Sequence, residues 1–174
     1  MDSSDSSNLQ YLFDTNWKRH EAYTGENIFH VIAKKGWLKM LCAFEGLVDE
    51  KTKERLRKRN YHGNTCLHIA TEEHRGRQAI WLIEKLVEYG ADLDEKKHCD
   101  GDTVLHMAVK KGDYKLATWM CQQLSIDLEV ENYRSLTAFQ VALKRGDEKM
   151  MEILETHGAI IQEVTDSEEE KRDS

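Results

Sequence analysis

The chain has 174 residues, of which 40% are hydrophobic, and a formal net charge of −7. This size and composition fit one soluble domain, and the acidic balance argues against nucleic-acid binding over the whole surface. No apolar run approaches the ~20 residues that span a bilayer, and the N-terminal residues lack the basic start and apolar centre of a secretory signal. We therefore expect an intracellular protein without membrane contact.

Residues that could carry out chemistry are few and scattered. Cys42, Cys66, Cys99 and Cys121 lack the spacing of a disulfide framework or a metal site, so reduced thiols are expected. The chain has no nucleophile motif and no phosphate-binding loop. We expect no enzymatic activity, no metal and no cofactor.

The two ends of the chain differ from its centre. Residues 1–8 are polar, rich in serine and aspartate, and are expected to be disordered. Residues 9–24 carry apolar side chains at helical spacing, which predicts a helix that caps the domain. Residues 162–174 form an acidic tail, which is also expected to be disordered and either solubilises the chain or meets a basic partner.

Between these ends a Gly-x-Thr-x-Leu-His-x-Ala theme occurs in four copies, of which the first and last are diverged. It recurs 38 residues after Gly25 and 38 residues after Gly63, and the last copy follows 34 residues after Gly101. Such a period predicts a solenoid, in which the glycines allow the positive φ of a tight turn. Repeats are predicted near residues 25–59, 60–97, 98–131 and 132–161, within a domain spanning 25–161.

The polar residues of the theme predict how each first helix begins. Thr65 and Thr103 stand where a helix N-cap belongs. His68 and His106 follow three residues later, within reach of the threonines, so all four are assigned a structural role. Each copy then continues to a second, longer helix, and stacking of such helix pairs supplies the core.

A basic run at residues 51–59 lengthens the link after the first repeat. One interpretation is a solvated loop and helix extension between repeats. The other is a nuclear-entry signal or a phosphate-binding patch at residues 55–59. We favour the structural interpretation because no aromatic residues are interleaved with the basic ones.

The repeat theme resembles the Thr-Pro-Leu-His box of ankyrin repeats. The resemblance implies an all-α ankyrin solenoid of about four helix-turn-helix repeats with β-hairpin fingers and an N-terminal capping helix. The chain departs from the family in having no proline. The place where proline would begin the helix is taken by other residues: Ile28, Cys66, Val104 and Ala138.

One stretch is more specific than the repeat theme. Residues 59–70 look like the central repeats of the IκB inhibitors, with cysteine in place of proline, and residues 90–94 and 98–109 continue the likeness. Residues 135–141 resemble that family's irregular final repeat. Cellular members of that family carry a longer array, an N-terminal phosphodegron and a long acidic tail. This chain is short and its match to the phosphodegron is poor, a pattern similar to the IκB-like ankyrin proteins of polydnaviruses.

This resemblance implies a non-enzymatic inhibitor that holds host Rel/NF-κB dimers inactive and that the host cannot switch off. Such a protein would be a monomer when unbound, would touch neither nucleic acid nor membrane, and would act in the cytoplasm, with the nucleus as a second compartment. Two alternatives stay open: a generic ankyrin adaptor for an unrelated protein, and a nuclear IκB-like cofactor that enters through residues 55–59.

The predicted contacts with a partner are side chains of the fingers. Tyrosine provides a large contact area at low entropic cost, so Tyr61 and Tyr133 are predicted anchors. The acidic residues would pair with a basic partner surface and accelerate association. The full predicted set is Tyr61, His62, Asn64, His98, Asp100, Asp102, Tyr133 and Arg134.

Overall fold

The computed structural model describes residues 21–46 and 48–161. Residues 21–24 are helical and are the described end of the predicted capping helix. The rest of that prediction, residues 9–20, and the two termini at 1–8 and 162–174 lie outside the described residues. The further helices are α1 Ile28–Lys35, α2 Leu38–Cys42, α3 Glu50–Arg57, α4 Cys66–Glu73, α5 Gly76–Glu88, α6 Val104–Lys111, α7 Tyr114–Cys121, α8 Ala138–Lys144 and α9 Glu148–Thr156.

These helices stack in two layers. The inner layer is formed by α1, α4, α6 and α8, each packed on the next, and the outer layer by α2, α5, α7 and α9 in the same order. Apolar side chains between and within the layers form one hydrophobic core that extends from Ile28 to Ala159. The predicted all-α solenoid of four helix pairs is thereby confirmed.

Each inner helix begins where the sequence predicts. Ile28, Cys66, Val104 and Ala138 are the first residues of α1, α4, α6 and α8. In all four helices a capping box joins the N-cap residue to the side chain three residues later. Side-chain capping therefore organises these helix starts without proline.

The fingers between repeats are turns, and the prediction of β-hairpins is not confirmed: no strand is assigned in residues 21–46 and 48–161. A backbone bond of 2.9 Å from Asn60 N to Asn64 O closes the second finger. Successive fingers are joined by single backbone bonds, which are too few to build a ladder. These bonds run from Tyr61 N to Thr24 O (2.9 Å), from His98 N to Gly63 O (3.1 Å) and from Tyr133 N to Asp100 O (3.0 Å).

The expectation that every second helix is the longer one is wrong for the first and third repeats, and in the third α6 and α7 have 8 residues each. Helix α2 has 5 residues, against 8 in α1, whereas α5 has 13. The chain leaves α2 in a turn that places the Phe44 ring against Phe29, with 5.1 Å between ring centroids. Phe44, a residue of this turn, thus packs on the core although α2 ends at Cys42.

The basic run forms most of helix α3 and agrees with the structural interpretation. Leu56 is buried in the core, and the Asn27 side chain donates a hydrogen bond of 2.6 Å to the carbonyl oxygen of Arg55. Most of the basic side chains around Leu56 are exposed. No helix in the described part of the chain is long and apolar enough to cross a bilayer.

Candidate functional site

The fingers are held in place by histidines of the inner helices. His68 Nδ1 accepts a hydrogen bond of 3.1 Å from Thr65 N–H and lies 2.7 Å from Thr65 Oγ1. Because Nδ1 accepts, the proton is on Nε2, which donates to the carbonyl oxygen of Asp102 in the next finger at 3.2 Å. Burial lowers the pKa of His68 to about 4 and so maintains the neutral ring.

The same arrangement occurs in the repeats on either side. His30 Nε2 lies 3.1 Å from the carbonyl oxygen of Asn64, and His106 Nε2 lies 2.9 Å from that of Leu136. Burial lowers the pKa of both imidazoles. Each ring therefore joins its own helix start to the following finger, and both nitrogens of each ring are engaged in these contacts.

The two predicted anchor tyrosines are exposed, and each contacts the backbone of the preceding segment. Tyr61 is 71% exposed and Tyr133 is 61% exposed. The Tyr133 ring lies against Gly101, where an added Cβ would come within 2.5 Å of the ring. The Tyr61 hydroxyl donates to the carbonyl oxygen of Ala22 at 3.3 Å. The backbone thus restricts the positions of both exposed rings. This restriction favours binding, because less side-chain entropy is lost when a complex forms.

The other exposed residues of the predicted set are His62, His98 and Arg134, and Asp100 is half-buried. Burial by itself would raise the pKa of the Asp100 carboxyl. The hydrogen bond from Asp102 N–H, a bond from Cys99 and the charges of Lys97 and Lys110 outweigh burial, so the pKa lies below its usual value. Asp100 is therefore charged at neutral pH. The fingers bring aromatic, basic and acidic side chains to one edge of the stack.

Two residues of the predicted set are buried instead. Asn64 is 8% exposed and Asp102 is 2% exposed. Asp102 accepts a hydrogen bond of 2.9 Å from Asn132 Nδ2 and pairs with Lys110 of α6. Asp102 therefore ties its finger to its own inner helix, and both buried side chains offer little surface to a partner.

Beside the fingers lies an open depression of about 400 Å³. It is bounded by the fingers of repeats two and three and by helices α1 and α4. Sequence reasoning missed the helix residues in it, although their fixed distance from each threonine cap could have identified them. Its lining includes Lys34, His62, Asn64, Glu72, Lys97 and Cys99.

Two of the cysteine thiols are shielded by burial. Burial raises the pKa of the Cys66 thiol to about 12 and that of Cys121 to about 11, so both are poor nucleophiles. No group of residues suited to hold a metal ion occurs in the described part of the chain. The surface presents exposed aromatic and charged side chains, and aromatic residues are enriched at protein–protein interfaces.

Comparisons with known proteins agree with this architecture. Residues 77–166 match the family described as "Ankyrin repeats (3 copies)". The "I-kappa-B like protein N2" of Microplitis demolitor bracovirus (isolate Webb) is 59% identical over 177 aligned positions, which cover 100% of this chain and 96% of that protein. The "I-Kappa-B like protein J1" of the same virus is 94% identical over 102 positions, covering 58% of this chain and 80% of that protein.

A third relative, the "I-Kappa-B like protein N3" of this bracovirus, is 50% identical over 157 positions, which cover 90% of the chain and 96% of that protein. The stacked helix pairs and their repeated capping boxes already define an ankyrin-repeat protein. With full-length similarity of this kind, the chain belongs to the family of I-kappa-B like ankyrin-repeat proteins found in this bracovirus.

Proposed function

We propose that the protein is a non-enzymatic inhibitor that binds host Rel/NF-κB dimers and suppresses immune signalling in the infected host cell. The observation that carries this proposal is 59% identity along the whole chain to a protein named I-kappa-B like. The exposed aromatic and charged edge of the fingers supports it, because such a surface suits recognition of a folded partner.

The inhibitor binds as a monomer, with Tyr61 and Tyr133 as anchors and Asp100 among the charged contacts. It acts in the cytoplasm and the nucleus of the host cell and touches neither DNA nor membrane itself. The bound dimer loses access to DNA, and this effect is larger than any effect on nuclear entry. The last point fails if the partner is excluded from nuclei while its DNA binding persists.

A competition assay tests the proposal. Purified protein is titrated into an insect Rel homology dimer bound to labelled κB DNA, at low and at moderate salt. We expect displacement at sub-micromolar protein, and we expect Tyr61→Ala and Tyr133→Ala each to raise the concentration needed by on the order of tenfold. Trp81→Ala is the matched control, because Trp81 is 52% exposed but lies on outer helix α5.

The control distinguishes a finger-edge site from general loss of aromatic surface. An equal effect of all three variants would contradict the assignment of the anchors while leaving inhibition intact. No displacement by protein that circular dichroism shows to be helical would contradict the inhibitor itself. Tight binding to an unrelated protein would then identify a generic adaptor.

A further inference from the structure

Helix α3 concentrates positive charge in an otherwise acidic chain. Residues 51–59 hold six basic residues and one acidic residue, whereas the whole chain has a net charge of −7. Burial of Leu56 anchors the helix on the core, but it does not require this charge. Arg55 and Arg57 are exposed, and neither forms an ion pair with another described residue. Such a local excess of positive charge attracts acidic groups.

The surroundings of these arginines do little to neutralise them. Lys58, the next basic residue, lies 3.8 Å from Glu21 (Nζ to Oε1), and a pair this long at the surface contributes little. Arg55, Arg57 and Lys58, named here the α3 cations, line an open depression of about 490 Å³. Of the described residues that line it, Glu54 alone is acidic. The depression therefore keeps a net positive charge.

Two exposed tyrosines, Tyr23 and Tyr61, lie at the end of the same helix and are named here the tyrosine pair. Tyr23 is 76% exposed and Tyr61 is 71% exposed. The Tyr61 hydroxyl donates to the carbonyl oxygen of Ala22, and Glu21, the partner of Lys58, precedes Ala22 in the chain. The basic run itself contains no aromatic residue, but the tertiary structure places two beside its end.

Cations next to exposed aromatic rings suit an acidic segment that also carries an apolar side chain, because the charges set orientation and the rings supply contact area. We propose that the α3 cations and the tyrosine pair together bind such a segment of the partner protein. Tyr23, which lies outside the set predicted from the sequence, is thereby a third anchor. This inference deepens the proposed function and rests on it for the identity of the partner.

Single-stranded nucleic acid is the competing occupant of this surface. Its phosphates would meet the same cations and its bases would stack on the same rings. The net charge of −7 opposes a polyanion that extends beyond the α3 cations, whereas a short acidic segment of a folded partner meets only the local positive charge. The observations therefore favour a protein segment.

A double charge reversal tests the surface in the full chain. We expect Arg55→Glu with Arg57→Glu to raise the dissociation constant for the Rel dimer by about tenfold, because the acidic segment would meet like charges. The matched control is Lys144→Glu with Arg145→Glu, an exposed basic pair at the end of α8. Both pairs lie at the C-terminal end of a helix, so the cost against the helix dipole is similar. The bond from Asn27 reaches the main chain of Arg55 and is kept.

Two further variants separate charge and ring from general damage to the fold. Arg55→Lys with Arg57→Lys keeps both charges and should bind within about threefold of the wild type. Tyr23→Ala should raise the dissociation constant by about fivefold, and Tyr23→Phe, which keeps the ring, should not. Trp81→Ala again controls for loss of an exposed aromatic side chain elsewhere. Circular dichroism checks that each variant is folded.

A second measurement uses a defined probe and does not depend on the Rel dimer. The peptide acetyl-Asp-Glu-Leu-Asp-Glu-amide is titrated into the isotopically labelled full chain, with acetyl-Asn-Gln-Leu-Asn-Gln-amide as the neutral control. We expect saturable shifts of the Arg55 and Arg57 Nε resonances and of the Tyr23 ring resonances with the acidic peptide only. These shifts should weaken as salt is raised. Oligothymidylate, titrated in parallel, should cause none.

The outcomes separate the two proposals. If the dimer binds and the α3 reversal weakens binding no more than the α8 reversal does, the acidic-segment surface is wrong and the inhibitor proposal stands. If the dimer does not bind at all, the inhibitor proposal is wrong, and the peptide decides the surface. Resonances that stay in place with the acidic peptide, or that move with oligothymidylate alone, then overturn it.

Discussion

Repeat four differs from the first three repeats at two positions of the repeated motif. Where the earlier fingers have glycine, it has Ser135, which adopts a left-handed backbone conformation with φ 52°. Where the earlier inner helices have histidine, it has Gln140, whose Oε1 accepts a bond of 3.0 Å from Thr137 N–H. Gln140 thus performs the capping half of the histidine's role.

The difference indicates that the finger glycine and the inner-helix histidine are needed for contact with the next repeat. A Cβ on Gly63 would collide with the Cβ of His98 in the following finger, and each imidazole donates to a carbonyl oxygen of the following finger. No further finger follows Ser135 in the described residues. Because no further finger packs on this one in the described residues, Ser135 can occupy the turn in place of glycine. For the same reason Gln140 can replace the histidine, whose second ring nitrogen would have no carbonyl oxygen to bond.

The largest expected effect comes from adding a methyl group between two fingers. Gly63→Ala combines a left-handed backbone, with φ 74°, and a clash with His98. Together these should lower the free energy of unfolding by about 4 kcal/mol. Urea denaturation followed by circular dichroism measures the change.

The matched control for this substitution is Gly112→Ala. Gly112 has φ 63°, but nothing lies within 4 Å of its Cβ position, so only the backbone term of about 1 kcal/mol is expected. Equal losses in the two variants would show that contact between fingers contributes nothing.

A second effect of nearly this size should appear as pH falls. Burial lowers the pKa of His68 to about 4, whereas the unfolded chain titrates near ~6.5. The unfolded state therefore binds the proton more readily, and the stability supplied by His68 is complete above pH ~6.5. It is lost as pH falls from ~6.5 through 4, with a total on the order of 3 kcal/mol.

His68→Gln isolates this effect, because glutamine keeps the cap, as Gln140 does in repeat four. At pH 8 the variant should be less stable by about 1 kcal/mol, since the bond to Asp102 O is weakened. The free energies of unfolding of the wild type and the variant, plotted against pH, should approach each other and cross as the pH falls to 4. The other titrating groups contribute equally to both curves, so their effect cancels in the difference. Parallel curves would contradict a neutral His68 in the folded state.

The smallest expected effect is a gain. Ser135→Gly removes a side chain from a left-handed residue that has no further finger packed on it in the described part of the chain. The folded state should be favoured by about 0.5–1 kcal/mol. A higher urea midpoint with an unchanged dependence on urea concentration checks this, and a loss of stability would show that the serine hydroxyl makes a contact that matters more than backbone strain.

Local sequence determined the repeat register, the first residue of every inner helix, the threonine caps and the helical nature of the basic run. These features depend on side chains a few positions apart and on a period that recurs along the chain. Only the tertiary structure decided that Asn64 and Asp102 are buried, that Phe44 takes over the core contact from a short α2, and that each histidine bonds the next finger. The histidine bonds depend on which residues of adjacent repeats, some 30 to 34 positions apart, come into contact when the repeats stack. The burial of Asn64 and Asp102 and the contact of Phe44 with Phe29 depend on how the fingers and the turn after α2 fold back on the helices, which the repeat spacing does not predict.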